Sequence, residues 1–363
     1  MRDLKIANIN GKGYELGIQF SQLFTNTIKN DFTYFKELLK NEKVRKNLEK
    51  VKEKLEIKYP SYLAETYGRA DGLNINRDEY LLNICFETYS SRESCTDVIV
   101  KIDDTHIVSG HNEDLSENLD EMALVKYNNN NGYFYELSTY NCPQGTTFGW
   151  NNKGIVYSVN TVRINKNNET GIPVWFILRD IVQCGSIEEV IEKINVKDCA
   201  SAFSLNIIDS NKNKAYSIEK ALEKFDVLEI KEKYIHTNHI IHPNMNDNIC
   251  IKTNSTLTRL DIGNKLLNKI NIKKTSIKDV KNILQFNKSK NEYIYRKINE
   301  DKYPTVATFL FDSKTKEIQI YSYYDGKSFQ LNMDMNKKVR VKWKLYPWLV
   351  NVYVDEKRRG KYI

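Results

Sequence analysis

Cys95 stands in mid-chain in SRESCTDVIV, Ser91 to Val100, flanked by small polar residues and opening an alternating run. A thiol becomes a nucleophile when a base stands beside it or its pKa is lowered. A papain-like site would draw that base from a histidine, but the local signature of such sites is missing around Cys95. The chain itself offers a second source. If the bond before Cys95 were cut, the new α-amino group, with an ordinary pKa of about 7.7–8.0, would suit general-base work near neutrality. On the local residues alone a buried, inert cysteine is the simpler reading, because free cysteines commonly behave as small hydrophobes.

Four other groups of residues bear on the choice. HNED, His111 to Asp114, ends the returning strand of the hairpin that Cys95 opens. An acid there could fix an amine or a substrate, or it could simply close a turn. Asn160 in SVNTV and Asn238 in HTNH carry side-chain amides of the kind that serve as oxyanion donors, although isolated asparagines are usually turn residues. His236, His239 and His242 form HTNHIIH, whose spacing would suit zinc on a helix. The segment is not helical in pattern and Pro243 follows, so no metal is expected. Arg259 in STLTRL lies on a predicted helix, where an arginine is ordinarily solvated or paired. There is no P-loop, no GxGxxG and no GxSxG.

The elements that must position these residues alternate in type. Periods of three and four predict helices through IQFSQLFTNTIKNDFTYFKELLK, Lys43 to Lys58, Pro60 to Tyr67 and Arg77 to Tyr89, so that the first ninety residues read as helical. The pattern changes at Cys95. CTDVIVKI and HIVSGHNED alternate about a turn at Asp103-Asp104 and predict a hairpin. MALVKY and YFYELSTY predict another across NNNNG, and GIVYSVNTV predicts a further strand. Helices follow at Val174 to Gln183 and Ser186 to Ile194, the second with Ser186 as N-cap and Glu189 three residues on. FSLNIID and KAYSIEK, then TVATFLFD and EIQIYSYY, predict two more hairpins, separated by helices at TLTRLDIGNKLLNKI and SIKDVKNILQF. Hairpins rather than βαβ units mean antiparallel sheets, and helices grouped between them give an α+β layered fold.

Composition sets the outer limits. The 363 residues are 40% hydrophobic and 11% aromatic, which is ample for a large core. Six cysteines are scattered without a CxxC, no apolar run approaches a membrane span of about 20 residues, and the N-terminus lacks a signal-type apolar core. A cytoplasmic protein without a disulfide framework is expected. The net charge of +8 is concentrated at the end: from Asn336 to Ile363 there are nine Lys/Arg against two Asp/Glu. The rest of the chain is near neutral, so nucleic acid is not an expected partner, and KKVRVKWK reads as a charged edge hairpin, with contact to an acidic partner or membrane surface as the alternative.

Taken together, the motifs resemble the acyl-coenzyme A:isopenicillin N acyltransferase family of N-terminal nucleophile hydrolases, related to the choloylglycine hydrolases and the acid ceramidase group. SCTDVIV matches the nucleophile motif, and SGHNEDL the Gly-x-Asn-x-Asp motif on the next strand. GWNNKGIVYSVN matches the strand ending in asparagine, and HTNH a His-Thr-Asn-His. STLTRL matches a Ser-x-x-x-Arg helix start, and TVATFLFD a late strand. The resemblance implies a four-layer αββα fold of two stacked antiparallel sheets flanked by helices. It implies a precursor cut between Ser94 and Cys95, giving a helical segment 1–94 and a catalytic chain 95–363 that stay associated as a heterodimer; the basic tail from about 325 has no counterpart in the family. It makes Cys95 nucleophile and base, Asp114 the acid that contacts its amine, Asn238 with Asn160 the oxyanion donors, and Arg259 a support. Thr96 and His111 fall beside the substrate. Choloylglycine hydrolases carry an arginine where this chain has His111, and their nucleophile follows a very short leader, which sets this chain nearer the acyltransferase branch. Ser94 replaces a glycine before the nucleophile. The expected activity is hydrolysis of a linear acyl-amide through an acyl thioester on Cys95, with transfer of the acyl group from an acyl donor such as acyl-CoA to an amine as the alternative. No cofactor is called for.

Overall fold

The computed structural model describes residues 4–24, 32–85, 95–115, 122–129, 132–140, 145, 147–323, 326–333, 339–343 and 351–354. Ser94, and with it the expected cut, lies outside the described residues, as do Cys142 and most of the basic tail.

Two eight-stranded sheets carry the chain. The first runs in the order β1 (Leu4–Asn10), β4 (Met122–Asn129), β5 (Gly132–Thr139), β6 (Phe148–Asn151), β7 (Ile155–Val162), β8 (Ala202–Asp209), β9 (Lys214–Ala221) and β10 (Lys224–Ile230). The second runs β11 (Lys233–His236), β2 (Cys95–Asp103), β3 (His106–Asp114), β14 (Thr305–Asp312), β15 (Glu317–Ser322), β16 (Lys327–Asn332), β17 (Val339–Trp343) and β18 (Asn351–Val354). A short ribbon of β12 (Asn287–Ser289) and β13 (Glu292–Tyr293) lies apart. Each predicted hairpin is present. β17 and β18 pair at the end of the second sheet, where KKVRVKWK was expected to make an edge hairpin.

The sheets stack face to face. Phe148 of the first lies over Phe309 of the second, with ring centroids 4.7 Å apart, and Trp150 lies 6.2 Å from the same ring. Helices cover the outer faces. Over the first sheet lie α1 (Gly13–Ser21), α2 (Thr33–Leu38), α3 (Glu42–Lys58), α4 (Pro60–Gly72), α5 (Arg77–Ile84), α6 (Val174–Ile181) and α7 (Ile187–Ile194), whose buried residues form one apolar cluster with that sheet and the intersheet layer. Over the second lie α8 (Asn254–Lys269) and α9 (Ile277–Leu284), where Val98, Val100, Val108 and Leu310 meet Ile262, Leu267, Val280 and Ile283. This is the four-layer αββα arrangement.

Local chemistry fixes the helix ends. Asn41 caps α3 by accepting from the Lys43 and Val44 nitrogens, and Val44, Leu48, Val51 and Leu55 form its buried stripe. Pro60 opens α4, and the Ser186 hydroxyl accepts from the Glu189 nitrogen at 3.2 Å as its spacing predicted. α1 and α4 cross with almost no room. A Cβ at Gly17 would lie 2.1 Å from the Glu65 carbonyl oxygen, and one at Gly68 would lie 2.1 Å from that of Tyr14.

The chain begins with a strand rather than a helix. β1 pairs in parallel with β4 from Leu4↔Met122 to Asn10↔Asn128, the one parallel ladder among the described strands of the two large sheets. The periodicity of LKIANIN is too short and too polar to show this, because only Leu4 and Ile9 are buried.

Candidate active site

Cys95 is the first residue of β2, and the hairpin register sets it opposite Glu113 of β3, with Asp97 opposite His111. Strand alternation therefore puts Cys95, Asp97, His111 and Glu113 on one face. That face looks into the intersheet layer, where the Ser158 hydroxyl of β7 donates to Asp97 Oδ1 and Asn206 Nδ2 of β8 donates to Asp97 Oδ2 at 2.9 Å. The other parity, Thr96 and Asn112, faces the helices over the second sheet: Thr96 meets Arg259 of α8, and Asn112 Nδ2 donates to the Leu284 carbonyl of α9 at 2.8 Å.

The thiol touches an acid. Cys95 Sγ donates to Glu113 Oε1 at 3.7 Å, and both residues are almost wholly buried. Glu113 Oε2 lies 3.2 Å from His111 Nε2, and His111 Nδ1 lies 3.1 Å from Asp97 Oδ1 at an angle too poor for a hydrogen bond. A line of buried titratable groups thus runs from the thiol through Glu113 and His111 to Asp97. Burial pushes the Cys95 thiol up to about 12, the Glu113 charge adds to this, and His111 works against it. Burial likewise raises the Glu113 carboxyl, with His111 pulling it back. Burial alone would depress His111, but the charge of Asp97 beside it, with the contacts to Cys95 and Glu113, holds its pKa well above the usual range. The imidazole is thus held between the carboxyl groups of Glu113 and Asp97.

The backbone of Cys95 is held from the other side. Its nitrogen donates to Asn238 Oδ1 at 3.1 Å. Arg259 Nη1 donates to the Cys95 carbonyl and, at 2.8 Å, to Thr96 Oγ1, while its Nη2 donates to Asn238 Oδ1 at 2.7 Å. One guanidinium fork therefore fixes the residue, its neighbour and the side chain that holds its nitrogen. Asn238 Nδ2 donates to the Thr161 carbonyl at 3.0 Å, and among the described residues its second N–H has no hydrogen-bond acceptor. Asn160 Nδ2 donates to the Thr237 carbonyl at 2.8 Å and lies 3.1 Å from His236 Nδ1. It braces the residue before Asn238 and makes no described hydrogen bond to Cys95.

HTNHIIH leaves β11 as an extended loop, and its histidines point to separate partners. His236 Nε2 lies 3.0 Å from Glu219 Oε1, His239 Nδ1 lies 2.9 Å from Thr256 Oγ1, and His242 Nδ1 lies 3.0 Å from Asp226 Oδ2. Glu219 also accepts from the Ile241 and His242 nitrogens at 2.7 and 3.1 Å, closing the loop from below. Thr256 Oγ1 accepts from the Asn238 nitrogen at 2.8 Å, so the residue three before Arg259 sets the height of Asn238. The described residues do offer one trio that could hold a soft divalent ion: Cys95, His111 and Glu113, with ligand atoms within 4.8 Å of one another.

Asp114 faces away from the thiol. Its Oδ1 accepts from Thr305 Oγ1 at 2.6 Å, and its Oδ2 is buried without a hydrogen-bond partner. Burial pushes its carboxyl up to about 6, with Arg296 and then Arg259 pulling down. No described hydrogen bond joins it to Cys95. Thr96 and His111, placed beside the substrate by resemblance, are both fully buried, the first on Arg259 and the second between acids. Glu113 and Asp97 were not singled out from the sequence. The signal was there: once Cys95 starts a strand in hairpin register, alternation puts both on the thiol's face. A groove of about 950 Å³, lined by Lys12, Tyr59, Tyr62, Arg179 and Lys193 among others, lies among the N-terminal helices, α6 and α7 and includes none of these site residues.

The model of the acyl-coenzyme A:6-aminopenicillanic acid acyl-transferase family matches residues 100–325, more than half of the chain. The chain belongs to that family. It is similar to the β-alanyl-dopamine/carcinine hydrolase of Drosophila melanogaster, 24% identical over 364 residues that span 86% of this chain and 91% of that protein. Among solved structures it is similar to a variant of the conjugated bile acid hydrolase of Clostridium perfringens, with a TM-score of 0.45 and 14% identity over 74% of this chain and 100% of that one. Penicillin V acylase of Agrobacterium tumefaciens gives a TM-score of 0.43 and 13% identity over 68% of this chain and 90% of that one. The family's match includes Asp114, Asn160, Asn238 and Arg259 and begins five residues after Cys95.

Proposed function

We propose that this family member is a self-processing thiol amidohydrolase that opens a linear acyl-amide through a thioester on Cys95. The observation that carries the reading is the hydrogen bond from the Cys95 nitrogen to Asn238 Oδ1, locked by Arg259. The atom that would become the catalytic amine already has a dedicated acceptor in the uncut chain.

In the cut, Cys95 Sγ attacks the Ser94 carbonyl carbon and the C–N bond breaks. The Cys95 nitrogen leaves as an amine, and water releases the Ser94 carboxylate from sulfur. Residues 1–94 and 95–363 then form the two chains of a heterodimer. In turnover the α-amine takes the thiol proton, sulfur attacks the amide carbonyl, and the free N–H of Asn238 donates to the developing oxyanion. Asn160 holds the Thr237 carbonyl and through it the position of Asn238. The departing amine carries the proton away, and water or a second amine takes the acyl group. The Drosophila relative is named a hydrolase, which supports water. The family's description as an acyl-transferase supports the second reading, in which an amine intercepts the thioester. The cytoplasm is the proposed compartment, which suits the five free cysteines among the described residues.

Denaturing electrophoresis with N-terminal sequencing tests the first step. The wild-type protein should give two fragments, the larger beginning at Cys95, and Cys95→Ala should stay whole. A wild-type chain that remains intact and whose Cys95 resists alkylation would sink the reading. Supplying an acyl donor with and without a competing amine, and identifying the acyl product, separates hydrolysis from transfer.

A further inference from the structure

The chemistry assigned to Cys95 makes no use of the acid and the imidazole beside its sulfur. A neighbouring carboxylate opposes a thiolate, and in that reading the α-amine already serves as base. Yet Cys95, His111 and Glu113 converge in a buried cluster whose ligand atoms lie within 4.8 Å of one another. Tetrahedral zinc, with bonds of about 2.0 Å to nitrogen or oxygen and about 2.3 Å to sulfur, sets neighbouring ligand atoms about 3.3–3.6 Å apart. Cys95 Sγ stands 3.7 Å from Glu113 Oε1, and His111 Nε2 stands 3.2 Å from Glu113 Oε2. These separations are close to the edges of that tetrahedron. A second observation points the same way. His111 Nδ1, behind the imidazole, is buried without a hydrogen-bond partner and lies 3.1 Å from Asp97 Oδ1. Histidines that bind zinc commonly turn their other ring nitrogen to a carboxylate, which fixes the ring and strengthens the ligand. Asp97 is itself pinned by Ser158 and Asn206 of the first sheet. A sulfur, a nitrogen and a carboxylate suit zinc and not calcium or magnesium, which take oxygen ligands.

We propose that Cys95, His111 and Glu113 form a zinc site, oriented by Asp97, in which the metal holds the sulfur and reversibly locks the nucleophile. The S–H bond gives way to an S–Zn bond, His111 Nε2 lends its lone pair, and the displaced protons pass to solvent, while the remaining ring hydrogen faces Asp97. Among the described residues the protein supplies three ligands, which leaves a fourth position to water. With its sulfur committed to the metal, Cys95 attacks neither the Ser94 carbonyl nor a substrate amide. The lock rests on the reading of Cys95 as the nucleophile; the metal site does not.

Titration of the full chain with Co²⁺ reads the site without turnover. Wild type should develop a near-ultraviolet thiolate-to-cobalt band and the visible bands of a four-coordinate ion, saturating at a single ion per chain and bleached by Zn²⁺. Cys95→Ala should lose the thiolate band. Zinc affinity, from competition with a chromophoric chelator, should fall about 10–100-fold in Asp97→Asn and at least as far in Glu113→Gln. Thermal melting checks that each variant folds, and the comparison of wild type with Cys95→Ala stands even where a carboxyl variant does not. No thiolate band in wild type, or one that persists in Cys95→Ala, overturns the proposal. So does an affinity that both carboxyl variants leave unchanged, which would mean chelation by the sulfur and nitrogen of Cys95 alone. For the lock, protein made in Zn²⁺ should stay whole and be cut before Cys95 once EDTA is added; equal cutting with Zn²⁺ bound overturns it. If no condition yields a cut, the self-processing reading fails, while the cobalt spectrum still decides the site.

Discussion

Arg259 serves three acceptors with one side chain: the Cys95 carbonyl, Thr96 Oγ1 and Asn238 Oδ1. A lysine ammonium is a point charge on a flexible stem and does not reproduce a planar fork. Arg259→Lys is therefore expected to lower kcat/KM by about a hundredfold or more, with slower cutting before Cys95, read by steady-state kinetics and by fragment masses over time. Asp114 makes a prediction about pH. Its carboxyl is raised to about 6 in the fold, so the folded chain holds that proton more tightly than the unfolded one. The stability this brings is complete below about pH 4 and is lost as pH rises through about 6. Against Asp114→Asn, wild type should lose on the order of 2–3 kcal/mol of relative stability between pH 4 and 8, seen in denaturant titrations. A flat difference would mean that Asp114 titrates as it does in the unfolded chain. At this scale the sequence showed which residue types were present but not their partners. Cys95, Asn238 and Arg259 were legible because each lies in a short motif, and the structure joins all three. Glu113 was hidden by its own neighbour: in HNED the eye takes Asp114 as the acid, while alternation assigns the thiol's face to Glu113.

The hairpins were legible because their partners are neighbours in sequence, with turn residues between periodic runs. The pairings that build the site are not local. β14 lies beside β3 after an interval of nearly two hundred residues, and β11 lies beside β2 with Ile235 opposite Val98. Nothing in either strand's pattern names its mate. The helices carry a prediction of their own. α1 and α4 touch backbone to backbone at Gly17 and Gly68, and an added methyl group at either meets a carbonyl oxygen rather than a yielding side chain. Gly68→Ala should force the two apart and lower stability by about 2 kcal/mol or more, measured by thermal unfolding. Gly185→Ala serves as the comparison, since its added Cβ would meet the middle of the flexible Lys153 side chain. Equal losses at the two positions would argue against a tight crossing.

On the scale of the molecule, the segment before Cys95 is built into the fold. β1 is a strand of the first sheet, and Glu65 of α4, already paired with Arg69, accepts from Arg179 of α6 at 3.2 Å in the buried layer beneath. Lys54 reaches Asp198, Asn47 reaches Glu169, and the Tyr80 hydroxyl donates to the Tyr140 carbonyl. The two pieces of a cut chain should therefore elute together from a native sizing column and part only in denaturant; a free fragment 1–94 would contradict this. The site itself is divided between the sheets. Cys95, His111 and Glu113 ride on the second, while Glu219, Ser158 and Asn206, which fix the Asn238 loop and Asp97, belong to the first. Phe148, Phe309 and Trp150 set the gap between the two. The site thus works as a caliper: any change in that aromatic filling alters the distance between the jaws. Drift in the core of such a protein is not free to follow stability alone, because a ring exchanged for a smaller one would shift the Cys95 thiol against Asp97's partners before it weakened the fold.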